Sequence, residues 1–79
     1  MSVNPSALKH GIREPDILYA AENWVYASDT DDDMPAKQLV LGFDRGGRLL
    51  ELAILTFDSG HQLVIHAMKA RRKYLHLLE

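Results

Sequence analysis

The fold is decided by one stretch of the chain, RLLELAILTF at residues 48–57. Successive side chains of a β-strand point to opposite faces, so Leu50, Leu52 and Ile54 share one face. The opposite face carries Leu49, Ala53, Leu55 and Phe57. The stretch therefore predicts the longest strand of a sheet that is apolar on both faces, with Glu51 and Thr56 as its only polar interruptions between residues 49 and 57.

Turn residues flank this strand on both sides, DRGG at residues 44–47 and DSGH at residues 58–61. Asp and Gly favour tight turns, and short turns join antiparallel strands. The neighbouring segments, Gln38–Phe43 and Gln62–His66, are therefore predicted to pair with the long strand. The aromatic and β-branched segment Trp24–Ala27 is predicted as a further short strand, which makes a four-stranded antiparallel sheet.

Helices are predicted before and after the strands along the chain. Pro5 is suited to a first helical turn and Gly11 to its end, and apolar residues at helical spacing predict a helix at residues 15–22. From Ala67 onward Pro and Gly disappear and apolar residues return on one helical face, which predicts a basic C-terminal helix. We therefore expect one α+β domain, residues 1–79, with N-terminal helices, a four-stranded antiparallel sheet and a C-terminal helix.

Composition limits the protein classes to consider. The chain has 79 residues, 47% of them apolar, and no cysteine, so a disulfide framework and a thiolate metal site are excluded. Neither a signal-peptide pattern nor a run of roughly 20 apolar residues is present. We expect a cytoplasmic protein that makes no membrane contact. The net charge of −2 disfavours bulk attraction to nucleic acid, although a basic cluster lies near the end of the chain.

Metal and cofactor sites are not predicted. The four histidines lack the close pairing of zinc motifs, and the acidic cluster between Asp29 and Asp33 lacks the spacing of an EF-hand loop. No glycine-rich phosphate loop or nucleophile elbow is present. A solvated loop is the simpler interpretation of the acidic cluster.

The basic side chains carry most of the chemical content. Ten of them could contribute to one site: Lys9, His10, Lys37, Arg45, Arg48, His66, Lys69, Arg71, Arg72 and Lys73. Metal-free RNA cleavage needs a base for the 2′-hydroxyl proton, cations for the charged phosphorane and an acid for the leaving oxygen. The alternative is an ordinary solvated surface, in which Arg48 only pairs with a neighbouring acid. The pattern alone leaves both interpretations open.

Four segments carry a family resemblance, and they occur in order along most of the chain. They are Asn4-x₄-Lys9-His10-Gly11-Ile12, Lys37…Gly42, Gly47–Leu52 and Val64–Arg72. This arrangement resembles the BrnT-type toxins of bacterial toxin–antitoxin pairs, which are small RelE-like ribonucleases. The chain differs from the family pattern at His66, where the family has Ser, and at Met68, where it has Arg. Near Tyr74 it lacks a Glu that the family carries, and only three residues precede Asn4, where the family has an opening strand.

The resemblance implies a RelE-like fold, mRNA cleavage without a metal or other cofactor, and an antitoxin protein as partner. Our leading hypothesis assigns the catalytic residues as His66, general base or acid in place of the family's Ser, Lys69 as a phosphate contact, and Arg71 or Arg72 as the clamp on the transition state. The implied RNA-contacting residues are Lys9, His10, Lys37 and Arg48. The alternative is a non-catalytic interaction module that uses its uncovered sheet face to bind a partner protein or to form a homodimer.

Overall fold

The segment at residues 48–57 contains the central strand of a five-stranded sheet in the computed structural model, which describes residues 1–79. The strands are β1 Ser2–Val3, β2 Trp24–Ala27, β3 Ala36–Phe43, β4 Leu49–Thr56 and β5 Gln62–Lys69, in the spatial order β1-β5-β4-β3-β2. The helices are a 3₁₀ helix at Pro5–Leu8, α1 at Glu14–Glu22 and a C-terminal 3₁₀ helix at Arg72–Leu78. The α+β class is confirmed.

The prediction of a four-stranded antiparallel sheet was wrong at the N-terminus. Strand β1 pairs in parallel with β5, in the register Ser2 to Leu63 and Val3 to Val64, so the sheet is mixed. The backbone N–H of Asn4 extends this pairing by donating to the Val64 carbonyl at 2.8 Å. A two-residue strand is too short to show an alternating pattern, which is why the sequence did not reveal it.

The end of the chain also differs from the prediction. Strand β5 continues three residues past His66, and the helix expected from Ala67 is a 3₁₀ helix that begins only at Arg72. The extra residues of β5 pair with β4, as Ala67 with Leu52, Met68 with Glu51 and Lys69 with Leu50. This pairing outweighs the helical spacing of the local sequence, because helix propensity is a weak preference that tertiary contacts override.

One face of the sheet, here called the first face, holds the core. Leu50, Leu52 and Ile54, which were predicted to share a face, are buried there against α1 and the N-terminal 3₁₀ helix. Helix α1 begins one residue before its predicted start and ends where expected. It approaches β3 so closely that a Cβ atom at Gly42 would collide with the carbonyl oxygen of Ala20. Glycine at this position therefore permits the helix to pack directly on the sheet.

The opposite face, here called the second face, is covered only in part. It carries Leu39, Leu41, Glu51, Ala53, Leu55 and His66, by the register of β3, β4 and β5. The C-terminal 3₁₀ helix turns back over this face and contacts β2. None of the helices is long and apolar enough to pass through a bilayer. The partial cover leaves a cleft, and the polar residues of the second face lie in it.

Candidate functional site

Glu51 is the one acidic side chain in the predicted core stretch, and it is buried with only 1% of its surface exposed. It points to the second face because its neighbours in β4, Leu50 and Leu52, fill the core of the first face. A buried carboxylate is costly unless charged or hydrogen-bonding partners surround it. The structure provides these partners from two other parts of the chain.

The first partner of Glu51 is Arg71, twenty residues later in the sequence. Its guanidinium donates from Nε to Oε1 and from Nη2 to Oε2, both at 2.9 Å, and its backbone N–H donates to Oε1 at 2.9 Å. This two-pronged geometry is the strong form of an arginine–carboxylate contact. The guanidinium is 48% exposed, so Arg71 links the buried acid to the surface and ties the C-terminal segment to the sheet.

The second partner is His66, which lies opposite Ala53 on β5 and places its Nε2 atom 3.1 Å from Oε2 of Glu51. Strand β5 has a bulge here: His66 pairs with Ala53 while Val64 pairs with Ile54, which leaves Ile65 as the extra residue. The bulge restores the alternation that places both Val64 and Ala67 in the core and His66 on the second face. It thereby sets the histidine beside the acid.

The charge state of Glu51 follows from these contacts. Burial raises the pKa of its carboxyl, but hydrogen bonds from the Arg71 side chain, the Arg71 backbone and His66 outweigh burial, so the pKa lies below its ordinary value. The same contact with Glu51 raises the pKa of Arg71. The pair is therefore a carboxylate and a guanidinium at neutral pH, held against an imidazole.

These groups form one side of an open cleft of about 320 Å³. It is lined by Lys37, Gln38, Leu39, Glu51, Leu52, Ala53, His66, Arg71 and Tyr74. Lys37 is exposed and takes part in none of the four ion pairs of the structure. The Tyr74 ring lies 5.6 Å from the Arg71 guanidinium and 5.0 Å from the Lys73 ammonium, distances at which cations are attracted to aromatic rings. The cleft thus combines a histidine with an uncompensated cation.

A second histidine lies beside the first. The rings of His10 and His66 meet edge to face, with centroids 5.5 Å apart and planes at 79°. His10 follows the N-terminal 3₁₀ helix, which packs on β5, and Ser6 in that helix donates from Oγ to the Ile65 carbonyl at 2.7 Å. Gly11, with φ of +81°, then reverses the chain toward α1. Residues 56 positions apart thus form a histidine pair.

The structure brings together four of the eight residues that were assigned a role at the site, namely His10, Lys37, His66 and Arg71. Lys69 pairs with Leu50, so its side chain leaves the sheet on the first face, away from the cleft. Lys9 and Arg72 are exposed and do not line the cleft. The guanidinium of Arg71 contacts Glu51 through Nε and Nη2, and its expected role as a clamp on the transition state stays a prediction.

Arg48 was expected to contact phosphate, but its side chain is engaged elsewhere. Its Nε donates to Oδ2 of Asp44 at 2.9 Å, and its backbone N–H donates to Oδ1 at 2.9 Å. Because of the hydrogen bond from the Arg48 backbone, the pKa of Asp44 lies below its ordinary value. The alternative interpretation, in which Arg48 pairs with a neighbouring acid, is confirmed.

Glu51 is the site residue that the sequence analysis did not assign. Its signal was present, because it is a charged residue at a position where the alternation of β4 gives apolar neighbours. A buried ionisable group with specific charge partners in a cleft is a feature of functional sites. No group of three or more histidine, cysteine or acidic side chains converges to hold a metal ion.

Comparison of the chain with protein-family models, with curated proteins and with solved structures found no match. The resemblance to BrnT-type toxins therefore depends on the four sequence segments alone. The chemistry of the cleft is an independent basis for an interpretation of function.

Proposed function

We propose that this chain is a toxin-like component of a bacterial toxin–antitoxin pair and acts in the cytoplasm as a metal-independent endoribonuclease on mRNA. The observation that carries the proposal is the pair His10 and His66, whose rings are in contact beside a cleft that also presents Lys37. Histidine changes charge near neutral pH, so two histidines can supply one acid and one base. The resemblance to BrnT-type toxins supports the same chemistry.

The proposed reaction needs only groups found at this site. One imidazole removes the proton of an RNA 2′-hydroxyl, and the 2′ oxygen forms a bond to phosphorus. The bond from phosphorus to the 5′ oxygen breaks, and the other imidazole, in its protonated form, donates a proton to that oxygen. The products are a 2′,3′-cyclic phosphate and a 5′-hydroxyl. Lys37, which lines the cleft and forms no ion pair, contacts the phosphate.

Cleavage of a fluorescent single-stranded RNA by the purified protein in excess EDTA tests the proposal. We expect products with cyclic phosphate ends, and a loss of at least about 100-fold in His66→Gln, because general acid–base catalysis contributes that much. The amide of Gln can still donate to Glu51, so this variant should retain the contact. The matched control is His61→Gln in the exposed turn between β4 and β5, outside the cleft. Intact RNA, or full activity of His66→Gln, overturns the proposal.

The antitoxin part of the proposal has its own test in bacteria. Induced expression of the chain alone should arrest growth and deplete total mRNA. Co-expression with the product of the neighbouring gene should restore both. Unimpaired growth of cells that contain the intact chain contradicts a toxin role. An arrest that persists in His66→Gln contradicts RNA cleavage through His66 as its cause.

A second candidate function is a non-catalytic interaction module, and one observation favours it. Large apolar side chains remain exposed at the ends of two strands: Phe43, the last residue of β3, is 41% exposed, and Phe57, which follows β4, is 37% exposed. If a partner or a second copy covers this surface, Leu55→Asp should abolish the association while His66→Ala leaves it intact. Light scattering at several concentrations separates a homodimer from a monomer that needs a different partner.

A further inference from the structure

We infer that Glu51 is a positioning residue that makes Nδ1 of His66 the proton-transfer atom of the cleft. The catalytic consequence rests on the proposed ribonuclease function, whereas the state of the imidazole ring does not. The inference follows from the hydrogen bonds that surround one buried carboxylate.

Both oxygens of Glu51 act as acceptors. Oε1 receives the backbone N–H and the Nε–H of Arg71, and Oε2 receives its Nη2–H. A carboxylate that accepts from a guanidinium on both oxygens has no hydrogen to donate. The remaining contact of Oε2, with Nε2 of His66 at 3.1 Å, is therefore a hydrogen bond only if Nε2 carries the proton.

This contact fixes the ring in one tautomer. In a neutral histidine one nitrogen carries hydrogen and the other accepts, and the partner of one nitrogen decides the role of the other. With hydrogen on Nε2, the lone pair lies on Nδ1. When the ring is protonated, Nε2–H still faces Glu51, so Nδ1–H is the proton that can leave. Nδ1 is thus the exchanging atom in both charge states.

The ring of His66 is supported by buried and hydrogen-bonded groups. Glu51 is buried at 1% exposure in the central strand, and three hydrogen bonds from Arg71 hold its carboxylate in place. His66 is itself on a strand paired to β4. Well-supported groups on strands hold a reactive geometry better than groups on loops. In the forward reaction, Nδ1 of His66 accepts the 2′-hydroxyl proton and the His10 imidazolium donates to the departing 5′ oxygen.

The tautomer of His66 can be measured by NMR in the wild-type protein, without RNA. Long-range proton–nitrogen NMR correlations distinguish protonated from unprotonated ring nitrogens in ¹⁵N-labelled protein, at a pH where the histidines are neutral. We expect His66 to carry its proton on Nε2, while the exposed rings of His61 and His76 serve as internal references. A proton on Nδ1 of His66, or a ring that samples both tautomers as the references do, overturns the inference.

Glu51→Gln tests the role of the acid, with Asp44→Asn as a matched change of a buried carboxylate that does not touch His66. The Gln amide would donate to Nε2 of His66 and drive its proton to Nδ1. We expect this tautomer reversal, with a fall in kcat of about 100-fold or more and little change in KM. Asp44→Asn should keep the wild-type tautomer and rate.

The outcomes separate the two proposals. If His66 of the wild type carries its proton on Nε2 but the protein leaves RNA intact, the ribonuclease function is overturned. The inference that Glu51 fixes the tautomer of His66 then still stands. Full cleavage by folded Glu51→Gln overturns the positioning role and keeps the ribonuclease. If Glu51→Gln does not fold, the wild-type tautomer still decides whether the ring is set as inferred.

Discussion

Two buried carboxylates in this chain, Asp44 and Glu51, make almost the same contacts and have different consequences. Each accepts hydrogen bonds at 2.9 Å from the Nε and the backbone N–H of one arginine, and each has a pKa below its ordinary value. The arginine partner of Asp44 is four residues away, and that of Glu51 is twenty residues away. Sequence separation, and not the chemistry of the pair, distinguishes the two regions.

The local pair makes a turn. Oδ1 of Asp44 also accepts from the Gly46 N–H at 2.9 Å, and Gly47 adopts φ of +84° to close the hairpin between β3 and β4. Every partner lies within four residues of Asp44. The distant pair connects the centre of the sheet to the segment after β5, and it does so beside His66. The same contact therefore completes a hairpin in one place and builds a candidate site in the other.

The largest expected difference between the two regions is in stability. Arg71→Ala leaves Glu51 buried without its counter-charge, a change that is strongly destabilising in proteins. Arg48→Ala leaves Asp44 with the backbone N–H groups of residues 46 and 48. We expect the melting temperature to fall by about 10 °C or more in Arg71→Ala and by less than about 5 °C in Arg48→Ala. Equal shifts in thermal unfolding followed by circular dichroism would contradict the comparison.

A smaller difference between the two regions is expected in how the free energy of unfolding changes at acidic pH. A carboxyl whose pKa is lower in the folded state adds stability above its unfolded pKa, and this stability is lost as the pH falls through the folded pKa. For Glu51 the loss begins below its ordinary pKa of 4.5, and for Asp44 below 3.8. As the pH falls, the free energy of unfolding should decline less steeply in each variant than in the wild type. This difference should begin at a higher pH in Glu51→Gln than in Asp44→Asn. Urea unfolding at a series of pH values measures both. The same onset in both variants would contradict the assignment.

The hairpin region was predictable because its interactions are local. DRGG identified the turn, the alternation in Arg48–Phe57 identified which residues share a face, and the possibility that Arg48 pairs with a nearby acid was recognised. The helix at residues 15–22 was found for the same reason, since its spacing is a property of the segment itself.

The candidate site was less predictable because it depends on pairing between distant segments. His10, Lys37, His66 and Arg71 were chosen for their charge and for a family resemblance, and only the fold shows that they converge. The role of Glu51 required the register of β5 and the return of the C-terminal segment over the second face. Neither feature can be read from the local sequence, because the residues that extend β5 to Lys69 lie in a segment with helical spacing.

The smallest expected effect concerns the attachment of the C-terminal segment. No residue of the C-terminal 3₁₀ helix is fully buried, and only Tyr74 and Leu77 are half-buried, so we expect the contact of Arg71 with Glu51 to contribute to its attachment. The Tyr74 N–H donates to the Arg71 carbonyl at 3.0 Å and reports on this attachment. In Glu51→Gln we expect hydrogen exchange at the Tyr74 amide to rise by about threefold to tenfold, because local opening costs little free energy there. The Gly47 amide, which donates to the Asp44 carbonyl at 3.0 Å, should exchange as in the wild type. If exchange at Tyr74 is unchanged, the segment is held by other contacts, and the buried acid serves His66 alone.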